Sequence, residues 1–326
     1  MRGTHIRHRR GVLVSLIVAV LVVGVTVTTV VALSTGDDEP AAPGAAPAAL
    51  GRRPWQVTLD VDETSGYVVT ASVTDGDRQT LTVQNLGLGS SPDGTYGGEV
   101  TAFSPGTLDE SQFRGAEQID DFRYLKAFSF AGHTVGETEP WQTPAVGRRD
   151  PSGTWIVVYA DTSRAKDKIT RTDLLRLAAA ITLGSPRDLR LPLRLGVRMP
   201  KGLELTYLRS PDHRIDRGQT AVGFSTGSRA PSGAAVYNGL PGGLEVAVLT
   251  AARDANWERE RAALTGRTQV GKLPAWYEPR GRLIVEAEHC VVTVESLFPR
   301  RELDALIGEL TIGDCADPDS WIPPLT

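Results

Sequence analysis

The chain of 326 residues carries 35 basic and 39 acidic side chains, a formal net charge of −4, and two cysteines. Its first 34 residues hold four arginines and no acid, so the remainder is more acidic than the whole. No basic patch with interleaved aromatics occurs there, which leaves nucleic-acid binding without electrostatic support.

Gly11 to Leu33 is an apolar run without a charge, and at about 20 residues per bilayer crossing it can span a membrane as one helix. Arg2, Arg7, Arg9 and Arg10 precede it, and Asp37, Asp38 and Glu39 follow it. The positive-inside rule then makes residues 1–10 a cytoplasmic tail and puts everything after residue 33 outside. The expected location is the plasma membrane, with a single pass through residues 11–33 and an extracytoplasmic C-terminal part. A cleavable signal peptide is the competing reading. Its apolar stretch is typically about 7–15 residues, shorter than this one, yet Ala32-Leu33-Ser34 offers a cleavage triplet. No cysteine stands just after the run, so lipid modification there is closed. Residues 34–52 are rich in proline and alanine; Pro40, Pro43 and Pro47 favour extended backbone, and the stretch reads as a tether.

Beyond the tether two similar segments appear. Asp173 to Gly184 reads DLLRLAAAITLG and Glu302 to Gly313 reads ELDALIGELTIG. Leu174, Leu177, Ala178 and Ile181 match Leu303, Leu306, Ile307 and Leu310, each set at the spacing of one helical stripe. Thr172 is the expected N-cap of the first helix, and Gly184 and Gly313 the expected left-handed C-terminal glycines. Upstream, Val135-Gly136 with Pro140-Trp141 corresponds to Val270-Gly271 with Pro274-Ala275-Trp276, each followed by an apolar strand, Trp155–Tyr159 or Leu283–Val285. Alternating strands are also expected at Trp55–Val61, Tyr67–Val73 and Leu81–Val83, and at Leu203–Leu208, Thr220–Phe224 and Leu244–Leu249. The expected fold class is α+β: two duplicated units, residues 53–188 and 189–326, each an antiparallel sheet with one main C-terminal helix.

The phrase Leu191-Pro192-Leu193-Arg194-Leu195-Gly196, with Met199-Pro200-Lys201-Gly202-Leu203 after it, resembles a recurring phrase in membrane-anchored exported proteins of high-GC Gram-positive bacteria. The two helices beginning with an acid and a leucine are similar to theirs too. The resemblance implies export and a membrane anchor over most of residues 55–321. Its motifs are turns and core positions, and that group has no assigned activity, so no functional residue carries over.

Cys290 and Cys315 are the expected disulfide: an exported domain meets an oxidising environment, and two cysteines leave one intramolecular pairing. Gly223-Phe224-Ser225-Thr226-Gly227 matches G-x-S-x-G, with Asp254 and His289 following in hydrolase order. A nucleophile elbow needs a helix after the serine, and a loop-type sequence rich in Gly, Ser and Pro follows instead. His133, His213 and His289 stand apart, without the short spacings of a zinc site. The groups Asp60, Asp62, Glu63 and Asp314, Asp317, Asp319 lack the order of a calcium loop and read as solvated turns. Trp141 and Trp276 suit core packing, with stacking on a sugar or peptide as the functional alternative. No catalytic residue, metal or cofactor is therefore assigned, and the chain is not expected to be an enzyme. The reading is a membrane-tethered extracytoplasmic binding or interaction module, with a cell-envelope component or a protein as partner. A cell-envelope hydrolase and an accessory subunit of a membrane complex are the alternatives.

Overall fold

Short alternating segments dominate the described residues, and nearly all of them pair into one sheet. The computed structural model describes residue 50 and residues 53–75, 77–85, 90–91, 94–95, 97–129, 142–160, 169–196, 202–211, 219–226, 246–278, 281–296 and 298–324. The first half contributes β1 (Gln56–Val61), β2 (Tyr67–Asp75), β3 (Arg78–Asn85), β4 (Ser90–Ser91), β5 (Gly94–Thr95), β6 (Gly97–Phe103), β7 (Glu117–Ile119), β8 (Phe122–Ser129), β9 (Gln142–Arg149), β10 (Trp155–Ala160), α1 (Arg171–Ala180) and β11 (Ile181–Asp188). The second half contributes β12 (Leu193–Arg194), β13 (Glu204–Pro211), β14 (Thr220–Ser225), β15 (Val246–Ala252), α2 (Ala255–Ala263), β16 (Arg267–Val270), β17 (Leu273–Glu278), β18 (Arg282–Glu286), β19 (Cys290–Ser296), α3 (Arg300–Gly308) and β20 (Thr311–Ile312).

The expected pair of α+β units is overturned. Fourteen strands form one continuous antiparallel sheet, in the order β16-β17-β18-β19-β15-β14-β13-β2-β3-β6-β10-β9-β8-β7, and three α-helices accompany it among the described residues. The two halves are fused by backbone pairing of β2 with β13, from Leu208 opposite Thr74 to Pro211 opposite Ala71. Left apart, each of these strands would present a row of unpaired N–H and C=O groups, and pairing them removes two such edges at once. Outward from that junction one flank runs β3, β6, β10, β9, β8, β7 and the other β14, β15, β19, β18, β17, β16. The expected boundary at residue 189 therefore separates no independent body, and all described residues fall in one compact unit, Ala46–Thr326.

Period-2 alternation divides the side chains between two faces. Ile156 and Val158 of β10, Leu283 and Val285 of β18, and Val292 and Val294 of β19 join a large apolar core. Leu174, Leu177 and Ala178 of α1 and Leu303, Leu306 and Ile307 of α3 pack into the same core, so the predicted stripes are buried. Leu310 lies partly buried beside it. The opposite face carries two smaller aromatic cores. Phe113 stacks on Trp155 with centroids 4.9 Å apart at one end, and Trp257 meets Trp276 edge-on at 5.8 Å at the other.

The helix ends differ from expectation. Thr170, not Thr172, caps α1: its hydroxyl accepts from the Asp173 N–H at 3.2 Å, while the Asp173 carboxylate accepts from the Thr170 N–H at 2.9 Å, a capping box. α1 stops at Ala180, because Ile181 turns extended and pairs with Val61. Gly184 consequently lies within β11, and Gly313 donates its N–H to the Pro192 carbonyl at 2.6 Å. The tail 1–10, the apolar run 11–33 and, apart from residue 50, the tether 34–52 lie outside the described residues. Among the described residues no helix is long and apolar enough to cross a membrane.

Candidate functional site

A concavity of about 670 Å³ opens on the sheet face away from α1 and α3. Three neighbouring strands make its floor: Leu249 and Ala251 of β15, Val291 and Thr293 of β19, and Arg282 and Ile284 of β18. Register sets them side by side, with Leu249 and Ile284 each opposite Thr293 and Ala251 opposite Val291. Asn256, Trp257 and Glu260 of α2 form one wall, and Cys315, Ala316 and Pro318 form another. A hollow of about 340 Å³ that includes His289 and Glu288 shares Arg253, Asp254 and Ala316 with it.

The wall α2 has no apolar stripe, and its hold on the sheet is polar and aromatic. The Asp254 carboxylate accepts from the backbone N–H of Asn256 at 2.9 Å and of Trp257 at 3.0 Å, which starts the helix. Trp257 is buried, and its indole N–H donates to Glu286 at 3.4 Å. Arg253 at 2.8 Å and Arg261 at 3.2 Å pair with the same carboxylate, whose side chain is 6% exposed. A nearly buried charge is tolerable only with such partners. The second wall is held by the Cys290–Cys315 disulfide, with Cα atoms 5.2 Å apart. Cys290 starts the strand that supplies Val291 and Thr293, so the bond ties wall to floor. Trp321 donates its indole N–H to the Asp314 carbonyl at 2.9 Å, and Leu191 and Ile322 exchange backbone hydrogen bonds at 2.9 and 3.1 Å, which fixes the rest of this segment.

One end of the floor is charged. Arg282 stands opposite Glu295, with its Nε 3.7 Å from a carboxylate oxygen, and its terminal nitrogen donates to Glu278 at 3.2 Å. Gly281 lets β18 begin this close to β19: its φ is +78°, and a Cβ there would come within 2.1 Å of the Ser296 carbonyl oxygen. Burial pushes the Glu295 carboxyl above the usual range; Arg282 pulls it back and Glu278 pushes it further up. Arg282 Nε and Glu295 Oε2 are both buried atoms without a hydrogen-bond partner.

The G-x-S-x-G residues do not converge. Ser225 ends β14 beside the Val246 end of β15, whereas Asp254 follows the far end of that strand. The Ser225 hydroxyl donates to Thr206 at 3.2 Å. His289 is on a turn with its side chain 53% exposed. Asp62, Asp314 and Asp317 accept from backbone N–H groups two residues ahead, an ordinary use of aspartate in turns. Trp276 is buried against Trp257. Trp141, His133, His213 and Gly227 lie outside the described residues. Among the described residues no group of three His, Cys, Asp or Glu side chains could hold a metal ion.

Sequence reading missed α2, the Glu286 cluster and the Arg282–Glu295 pair. Asp254 two residues before Asn256 is a legible N-cap signal, and Arg282-x-Ile284-x-Glu286 shows the alternation of a strand. Neither shows that Glu286 meets Arg253 and Arg261 across 33 and 25 residues. No protein-family model matches the chain, and no curated protein matches it.

Proposed function

We propose that this chain is a membrane-tethered extracytoplasmic binding module whose ligand, a cell-envelope component, sits in the cleft beside α2. The cleft carries this reading: about 670 Å³ of concave space with an apolar floor and a charged rim is the usual make-up of a ligand site. Tethering rests on the apolar run 11–33 and its flanking charges, and the Cys290–Cys315 disulfide suits an oxidising compartment.

The alternatives draw less support. Neither serine nor histidine is among the described lining residues, and Cys315 is committed to its disulfide. Of the carboxylates among the described lining residues, Asp254 is committed to capping α2, which leaves Glu260 as the other. An accessory subunit calls for a broad apolar patch, yet Ile322 is the one exposed large hydrophobic among the described residues.

Replacing Ala251 on the floor by tryptophan should fill the cleft while leaving the sheet face away from it untouched. Solubilised envelope fractions titrated onto the full-length protein in nanodiscs, followed by calorimetry, should give heat with the wild type and none with Ala251→Trp. Equal binding by both proteins would place the ligand elsewhere.

A further inference from the structure

Charge is spread unevenly over the chain, and the acidic excess collects around the cleft. Setting aside the first 34 residues with their four arginines, the chain holds 31 basic and 39 acidic side chains, an excess of eight acids. Residues 253–263, 282–295 and 313–320 supply the two walls and two of the three floor strands. They carry nine acids and four arginines, so more than half of that excess sits on them. The third floor strand, β15, carries no charge.

Both arginines that line the cleft are already matched by carboxylates. Arg253 lies 2.8 Å from Glu286 and 3.4 Å from Glu258, and Arg282 lies 3.2 Å from Glu278 and 3.7 Å from Glu295. Each therefore faces two acids. Glu260, exposed on α2, adds a charge to the cleft wall, and Glu288, with its side chain 88% exposed, adds one to the hollow that adjoins the cleft at Arg253, Asp254 and Ala316. A cleft lined by one sign of charge over low-dielectric walls focuses its field and draws in the opposite sign. The floor beneath is apolar, with Leu249, Ile284 and Val291.

Ligand classes separate on these two features. A phosphate or carboxylate is repelled by the acidic excess. A neutral apolar chain uses the floor and ignores the charge, and a bare diamine does the reverse. A lysine or arginine side chain next to an aliphatic one uses both. Gln219 and Thr293 on the lining carry donors and acceptors without net charge, which suits the N–H and C=O groups of a peptide backbone. We infer that the cleft beside α2 takes a basic peptide segment, with aliphatic side chains on the floor and cations beside Glu260 and Glu288. The inference rests on the binding-module reading above and names its ligand class.

The test uses the full-length protein in nanodiscs of uncharged phosphatidylcholine, titrated calorimetrically with the peptide acetyl-Leu-Lys-Leu-Lys-amide. Its analogues with glutamine or glutamate in place of lysine, the diamine cadaverine and solubilised envelope fractions serve as comparison ligands. The lysine peptide should bind the wild type, with affinity about tenfold lower in about 0.5 M salt than in about 0.05 M. Glu260→Gln and Glu288→Gln should each weaken it about two- to fivefold, and Ala251→Trp should abolish it. Both glutamates are exposed, so a loss in these variants is not a loss of fold. Lysine-peptide binding insensitive to salt and to both variants would overturn the inference, as would equal or tighter binding of the glutamine or glutamate peptide. Cadaverine binding as tightly as the lysine peptide would show that the apolar floor contributes nothing, and would overturn the peptide. Heat from envelope fractions that Ala251→Trp abolishes, with no lysine peptide bound, would sink the basic peptide and leave the cleft reading standing. If no ligand gives heat that Ala251→Trp abolishes, the inference and the cleft reading fall together.

Discussion

Glu295 is a carboxylate that the fold desolvates more than its arginine compensates, and this has a consequence for stability that can be measured. Burial raises its folded pKa above the usual value, so on raising the pH the unfolded chain releases this proton first. Below the ordinary glutamate pKa of about 4.3 both states hold the proton and Glu295 carries no penalty. As pH climbs above that value stability falls, and it goes on falling until the folded carboxyl has lost its proton too. Glu295→Gln should therefore be more stable than the wild type in urea at neutral pH, with the advantage vanishing in acid. An equal difference at both pH values would mean that desolvation does not govern this residue.

Among the elements, α3 and α2 illustrate two different ways of holding a helix to a sheet. α3 buries Leu303, Leu306 and Ile307 in the main core, and that stripe is legible in sequence because spacing alone defines it. Leu306→Ala should cost about 2–5 kcal/mol in chemical denaturation, the range for a buried leucine. α2 offers Trp257 and a set of charges instead, and its anchor, Glu286, lies on another element. Glu286→Gln keeps the shape and an acceptor for the indole but leaves Arg253 and Arg261 only the more exposed Glu258 as a shared anion. The expected loss is about 1–2 kcal/mol, below the ~3–5 kcal/mol of a fully buried pair, because both guanidiniums are about one-third exposed. Hydrogen exchange should quicken in α2 more than in α3; uniform protection would show that Trp257 alone holds the helix.

At the scale of the whole molecule, the proposed tether has a test of its own. Protease added to intact spheroplasts should degrade the exterior part, whereas survival of the full-length chain while a known exterior marker is digested would reverse the topology; release of a soluble form lacking residues 1–34 would identify a cleaved signal peptide. The sequence by itself determined the burial of the Leu174 and Leu303 stripes, the position of most alternating strands and the pairing of Cys290 with Cys315, because each follows from local spacing or from a choice with one solution. Tertiary structure alone decided that the halves share one sheet, since the edges of β2 and β13 are complementary in backbone but over 130 residues apart, and backbone hydrogen bonding leaves no residue signature. It also decided the site. Arg282 and Glu295 are 13 residues apart on separate strands, and only the antiparallel register of β18 with β19 sets them face to face beside a floor shared by three strands.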